Sequence, residues 1–112
     1  MANTFKLKSK ANVGVTTAGV YVVPSSTTTV VIGITLSNTS GSGINVGLGV
    51  TRASSDDIHL AKDVPIPFGS SFEFMQGNKI VLETTDTITA KSDTASSLDV
   101  ALTIMELSLI HI

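Results

Sequence analysis

Residues 27–50 read TTTVVIGITLSNTSGSGINVGLGV, and the two halves of this stretch decide the fold. In the first half branched aliphatics take every second position, at Val30, Ile32, Ile34 and Leu36; in the second they do so at Ile44, Val46, Leu48 and Val50. Side chains alternate between the two faces of a strand, so each half lays its aliphatics on one face. The break between them, Asn38-Thr39-Ser40-Gly41-Ser42-Gly43, is built of residues that accept positive φ or bond back to their own backbone, which marks a turn. The stretch therefore reads as two central strands joined in a hairpin-like unit.

The 112 residues are enough for one core and too few for two, so a single domain over residues 1–112 is expected. With no cysteine, disulfides, thiolate metal sites and thiol nucleophiles are excluded. A formal charge of -2 leaves no excess of Lys and Arg to track phosphates, so neither nucleic acid nor an acidic membrane is an expected partner. No apolar run approaches the roughly 18 residues of a membrane span, and MANTFKLKSK has no apolar signal core. Charged residues make up only 14% of the chain, against about a quarter in an ordinary soluble domain. Ser and Thr together outnumber them. A surface so short of charge implies that something covers it, the alternative being a monomer with a neutral hydroxyl surface.

Outward from the central stretch the alternation continues. Thr4 to Lys10 sets Phe5 and Leu7 against Lys6, Lys8 and Lys10; the expectation is an edge strand with its aliphatics packed and its lysines facing water. Gly19 to Val23 reads as a strand stopped by Pro24, with Tyr21 filling core space at a wet rim. Ile58 and Leu60 make a short strand beside His59, and the two prolines of Val64-Pro65-Ile66-Pro67 force a crossover between sheets. Phe72 and Phe74, then Lys79 to Glu83, read as a hairpin turned by Gln76-Gly77-Asn78. Asp86 caps a bend before Thr87 to Lys91. From Leu98 the last strand is apolar on both faces, with Met105, Leu107 and Leu109 opposite Leu102 and Ile104, and Ile110 and Ile112 beyond. A strand of that kind is covered on both faces. Met105, Leu107, Leu109, Ile110 and Ile112 are the expected interface residues.

Residues that could carry chemistry are sparse. His59 and His111 have no local nucleophile or carboxylate pattern, and no phosphate-binding glycine loop or metal-binding helix motif occurs. Glu73, Glu83 and Asp86 could be assembled into a carboxylate pair, but a chain with no tryptophan and one tyrosine lacks a sugar platform. Asp56 and Asp57 lack the spaced oxygen ligands of a calcium loop. Neither catalysis nor a cofactor is expected. The loops holding Asn38, Ser40, Ser42, Arg52, Asp56 and Asp57 are the candidate exposed recognition sites.

The fold these segments predict is all-β, a two-layer antiparallel sandwich of about eight strands with jelly-roll or immunoglobulin-like connections. The motifs Tyr21-Val22-Val23-Pro24, Leu36-Ser37-Asn38, Pro65-Ile66-Pro67-Phe68-Gly69-Ser70-Ser71 and Leu82-Glu83-Thr84-Thr85-Asp86, in that order, resemble small virion structural proteins of tailed bacteriophages, marine and cyanobacterial ones among them. The resemblance covers nearly the whole chain, except Ser108-Leu109-Ile110-His111-Ile112, a native contact or an accessory tail. It implies a capsid cement or decoration protein, or a head-tail (neck) component, made in the host cytoplasm and carried in the virion. Its partners would be the major capsid, portal, neck or tail proteins and further copies of itself, trimers included. The alternative is a receptor- or carbohydrate-binding module of a tail fibre.

Overall fold

Valine, isoleucine and threonine fill the paired segments because a branched Cβ suits the pleated surface of a sheet. In the computed structural model, which describes residues 3–52, 57–74 and 79–108, they form nine strands: β1 (Asn3–Val13), β2 (Ala18–Val22), β3 (Thr27–Asn38), β4 (Ile44–Thr51), β5 (Ile58–Ile66), β6 (Ser71–Glu73), β7 (Ile80–Leu82), β8 (Thr87–Ser92) and β9 (Leu98–Ser108). All pairings are antiparallel. The larger sheet runs β1-β9-β3-β6, with β7 also on β3, and the smaller runs β2-β8-β4-β5. The pairs nest as β1 with β9, β2 with β8, β3 with β6 and β7, and β4 with β5. That is a jelly roll, a long hairpin folded double and wrapped.

Two of the expected pairings are different in the structure. The central strands β3 and β4 do not form a hairpin; they lie in opposite sheets, and the loop between them turns the corner from one layer to the other. Asn38, only 6% exposed, fixes that corner: its Nδ2 donates to the carbonyls of Ser42 at 2.8 Å and Ile66 at 3.0 Å, while its Oδ1 accepts from the Ser40 amide. Likewise β6 and β7 do not pair with each other. Both pair with β3, at Thr35 to Ser37 and at Thr29 to Val31, as two parts of one interrupted edge. A 12-residue β3 offers enough ladder for both, and the Gln76-Gly77-Asn78 turn lies outside the described residues.

The expected single face of β3 is split by a bulge between Val31 and Gly33, so Val30 lies on the outer face while Val31, Ile34 and Leu36 are buried. Val64 to Ile66, expected as a connection, belong to β5 and pair with β4, so the crossover begins only at Pro67. β1 and β5 are edge strands; Pro65 sits at the edge, where its missing N–H costs no ladder bond. The chain then crosses from β5 to β6 through a tight turn closed by Ser70 N–H donating to Pro67 O, with Gly69 at φ 72°. Asp86 caps its bend, taking a bond from the Glu83 amide at 3.0 Å. The core between the layers is aliphatic: Val31, Ile34 and Leu36 of β3 and Val100, Leu102 and Ile104 of β9 face Ile44, Val46, Leu48 and Val50 of β4 and Ile88 of β8.

On the other side of β4, Gly47 and Gly49 leave its outer surface bare. A Cβ on Gly49 would lie 2.9 Å from the Ile58 carbonyl oxygen, whereas one on Gly47 would meet the Ala61 carbonyl at an ordinary 3.6 Å. Gly49→Ala is therefore expected to cost about 1–3 kcal/mol of stability, and Gly47→Ala less than about 0.5 kcal/mol. Urea titrations of the two variants check the difference.

Candidate functional site

Strict alternation along β9 settles which side chains leave the core. Leu98, Val100, Leu102, Ile104 and Glu106 are buried between the layers, so Ala101, Thr103, Met105 and Leu107 lie on the outer face of the larger sheet. Register carries that face across the sheet: Phe5 pairs with Met105, Met105 with Val30, and Val30 with Val81. The result is one straight apolar row over β1, β9, β3 and β7. Its ends are open, with Phe5 69% and Val81 63% exposed, and Leu7 beside it is 70% exposed. Met105, Leu107 and Val30 are half-buried.

β1 is turned over relative to the sequence expectation. Phe5 and Leu7 face outward, and Lys6, Lys8 and Lys10 pair opposite Ile104, Leu102 and Val100, on the side of the sheet that faces the second layer. The cause is a buried carboxylate. Glu106, 9% exposed, needs a counter-charge, because an unpaired buried charge is costly. Lys6 Nζ supplies it at 2.8 Å from Oε1. The hydroxyl of Tyr21, from the opposite layer, donates to Glu106 Oε2 and bonds Thr29 Oγ1 at 2.8 Å. Tyr21 is buried as expected, but its hydroxyl sits in this network rather than at a wet rim.

The network perturbs both acids. Bonds from Lys6 and Tyr21 hold the Glu106 carboxyl below its ordinary value, against the opposing effect of burial. Burial, helped by the bond to Glu106, pushes the Tyr21 phenol from 10.0 up to about 12. Glu106 was legible in principle, since it has the parity of Leu102 and Ile104; its charge obscured it.

The other candidate residues are scattered or committed. Asn38 is buried and saturated, so it is not an exposed recognition group; Ser40 Oγ donates to the Ser42 carbonyl within the same corner. Arg52 is held by Glu83 at 3.1 Å and Asp86 at 3.4 Å, and its amide bonds Asp57 Oδ1 at 3.2 Å. Glu73 bonds Thr35 Oγ1 at 2.6 Å, while Glu83 and Asp86 share Arg52, so each of the three carboxylates weighed as a catalytic set is engaged in a structural contact. The Asn38 loop and the Arg52 loop sit at opposite ends of the eight-residue β4, about 25 Å apart, and cannot form one site. Asp56, Leu109, Ile110 and Ile112 lie outside the described residues. A groove of ≈ 610 Å³ crosses the outer face of the smaller sheet over Gly47 and Gly49. Lys62 and Lys91 share it with Asp57, Asp63 and Asp93, so it favours neither sign of charge. Among the described residues no cluster of His, Asp and Glu could hold a metal.

No family model matches this chain, and no curated protein matches it. Among solved structures, one from Bacillus endospore appendages, described as a novel family of disulfide-linked pili, aligns with a TM-score of 0.59 at 14% identity. The alignment covers 97% of this chain and 88% of the other. At that identity the shared feature is the β-sandwich itself.

The Glu106 network sets the expected acid response. A carboxyl with a lowered folded pKa stabilises the fold above its unfolded value and loses that contribution as pH falls through the folded one. The melting temperature of the wild-type chain should therefore drop as pH falls below 4.5. Glu106→Gln should melt lower at neutral pH and show a smaller acid-induced drop. In the opposite direction, the raised Tyr21 pKa adds stability that is present below pH 10.0 and lost as pH approaches about 12; Tyr21→Phe should lack that alkaline loss in the same melts.

Proposed function

We propose that this chain is a non-enzymatic structural subunit of a multi-copy assembly, attached through the outer face of its larger sheet, and that the assembly is a phage virion. The observation that carries the reading is the inverted β1. An edge strand that turns its lysines inward and presents Phe5 and Leu7 to the outside wastes apolar surface in a solitary domain but serves one whose outer face is covered. Each fully covered aliphatic would contribute about 1.5–3 kcal/mol before ordering costs, and repetition on a symmetric particle multiplies a modest contact.

The motif resemblance supports a cement, decoration or neck protein on the virion. The pilus protein that shares the fold supports many-copy assembly and favours a second reading, a subunit of a fibrous appendage. This chain has no cysteine, so in either setting disulfides do not link its copies. A receptor-binding module has weaker support, because its two candidate loops are at opposite ends of the sandwich.

Gold-labelled protein mixed with purified phage particles tests the virion reading. Label in many copies over the head or at the tail vertex is expected, with at least tenfold less for Phe5→Glu/Leu7→Glu, whose substituted side chains are exposed and should leave the melting temperature nearly unchanged. Bare particles beside ordered filaments of the free protein would replace the virion with the appendage reading, and bare particles without filaments would overturn both.

A further inference from the structure

Resting on the reading of this face as a covered surface, we propose that its occupant is a second copy of the chain, in a two-fold contact whose axis runs along the strands between β9 and β3. A two-fold interface must be complementary to itself. The apolar row meets that condition in one orientation. It is large at the β1 edge, with Phe5, and small at the β7 edge, with Val81; Met105 and Val30 lie between. Rotation about an axis along the strands lays β1 over the second copy's β7 and β9 over its β3. Phe5 then meets Val81, and Met105 meets Val30.

The summed side-chain bulk is nearly even across the row, which suits two sheets packed about 10 Å apart. An axis across the strands would instead stack Phe5 on Phe5 and Val81 on Val81, wedging the sheets apart at one edge.

The polar rungs agree with the same operation. Below the apolar row, Ser9 pairs with Ala101, Ala101 with Thr35, and Thr35 with Glu73. The rotation sets Glu73 over the Ser9 hydroxyl. One rung further, Asp99 pairs with Ser37 and is set over Ser37 of the second copy. The carboxylates of these two rungs, Glu73 and Asp99, thus each meet a hydroxyl and not each other. At the other end Leu107, paired with Thr28, is set over Thr28.

Area is consistent too. The exposed and half-buried aliphatics and Phe5 present on the order of 400–500 Å², and the flanking Thr, Ser and Ala rungs bring the face toward the roughly 800 Å² per partner of a stable interface. Edge-to-edge pairing through β1 is the competing route, and inward-pointing lysines oppose it.

The chain has no native cysteine, so single cysteines can report the contact. A mixture of Phe5→Cys and Val81→Cys copies treated with a short bismaleimide should give a cross-linked dimer. Phe5→Cys alone should not, because its two copies of the residue would be three strand spacings, about 14 Å, apart along the row. Sedimentation should show a wild-type dimer, with a dissociation constant raised at least tenfold by Phe5→Glu at unchanged circular dichroism. Cross-linking of Phe5→Cys alone in preference to the mixture, or a wild-type monomer at its highest soluble concentration, would overturn the proposal. Particle labelling by a chain that stays monomeric would overturn this contact and leave the virion reading standing; a cross-linked dimer that ignores particles would do the reverse.

Discussion

A single buried carboxylate accounts for the orientation of β1, the edge strand of the larger sheet. Glu106 continues the inward parity of Leu98, Val100, Leu102 and Ile104, so the strand that buries the best aliphatic run also carries a charge into the interlayer space. Such a charge persists only if it is paired and hydrogen-bonded. Lys6 from β1 pairs it and Tyr21 from β2 hydrogen-bonds it, with Thr29 bonding the Tyr21 hydroxyl in turn, so one strand from each layer is tied directly to one oxygen pair. Once Lys6 faces inward, the two-residue period of a strand sends Phe5 and Leu7 out. The β1 end of the apolar outer row is thus a geometric consequence of satisfying Glu106.

β1 illustrates how little that strand depends on the core. Val13 is its only residue buried in the aliphatic cluster, while residues 3–10 hold on by their ladder with β9 and by the Lys6 bridge. Lysines along the inward side of an edge also guard against unwanted strand pairing. Lys6 therefore neutralises a core carboxylate, and with Lys8 and Lys10 it closes the sheet to extension.

How much the sequence revealed follows from what alternation can and cannot encode. Local signals exposed the strands, the Asp86 bend and the two-faced character of β9, because each is a local property of the chain. Partner choice is not local. Nothing in residues 27–50 distinguishes a hairpin from a corner between layers; the distinction lies in Asn38 reaching the Ile66 carbonyl, 28 residues away. Alternation also gives two faces without saying which is inside. Phe5 and Leu7 against three lysines have an obvious answer from hydrophobicity alone, and it is reversed by Glu106, which lies a hundred positions further along and is recognisable only by its parity.

The two outer faces of the sandwich show why a shared fold leaves the mode of assembly open. On the smaller sheet, Gly47 and Gly49 lower the floor between walls bearing both signs of charge, a surface that water already solvates well. On the larger sheet, the apolar row crosses four strands without a charge, and carboxylates begin only at the rungs of Glu73 and Asp99. Desolvating the first face would leave charges to be paired afresh, at several kcal/mol each if they were not; desolvating the second costs little beyond a few hydroxyls. A jelly roll supplies both faces to every protein that adopts it. Which one is cheaper to cover follows from this difference in desolvation, and the side of β1 that Lys6 occupies widens it by turning Phe5 and Leu7 outward.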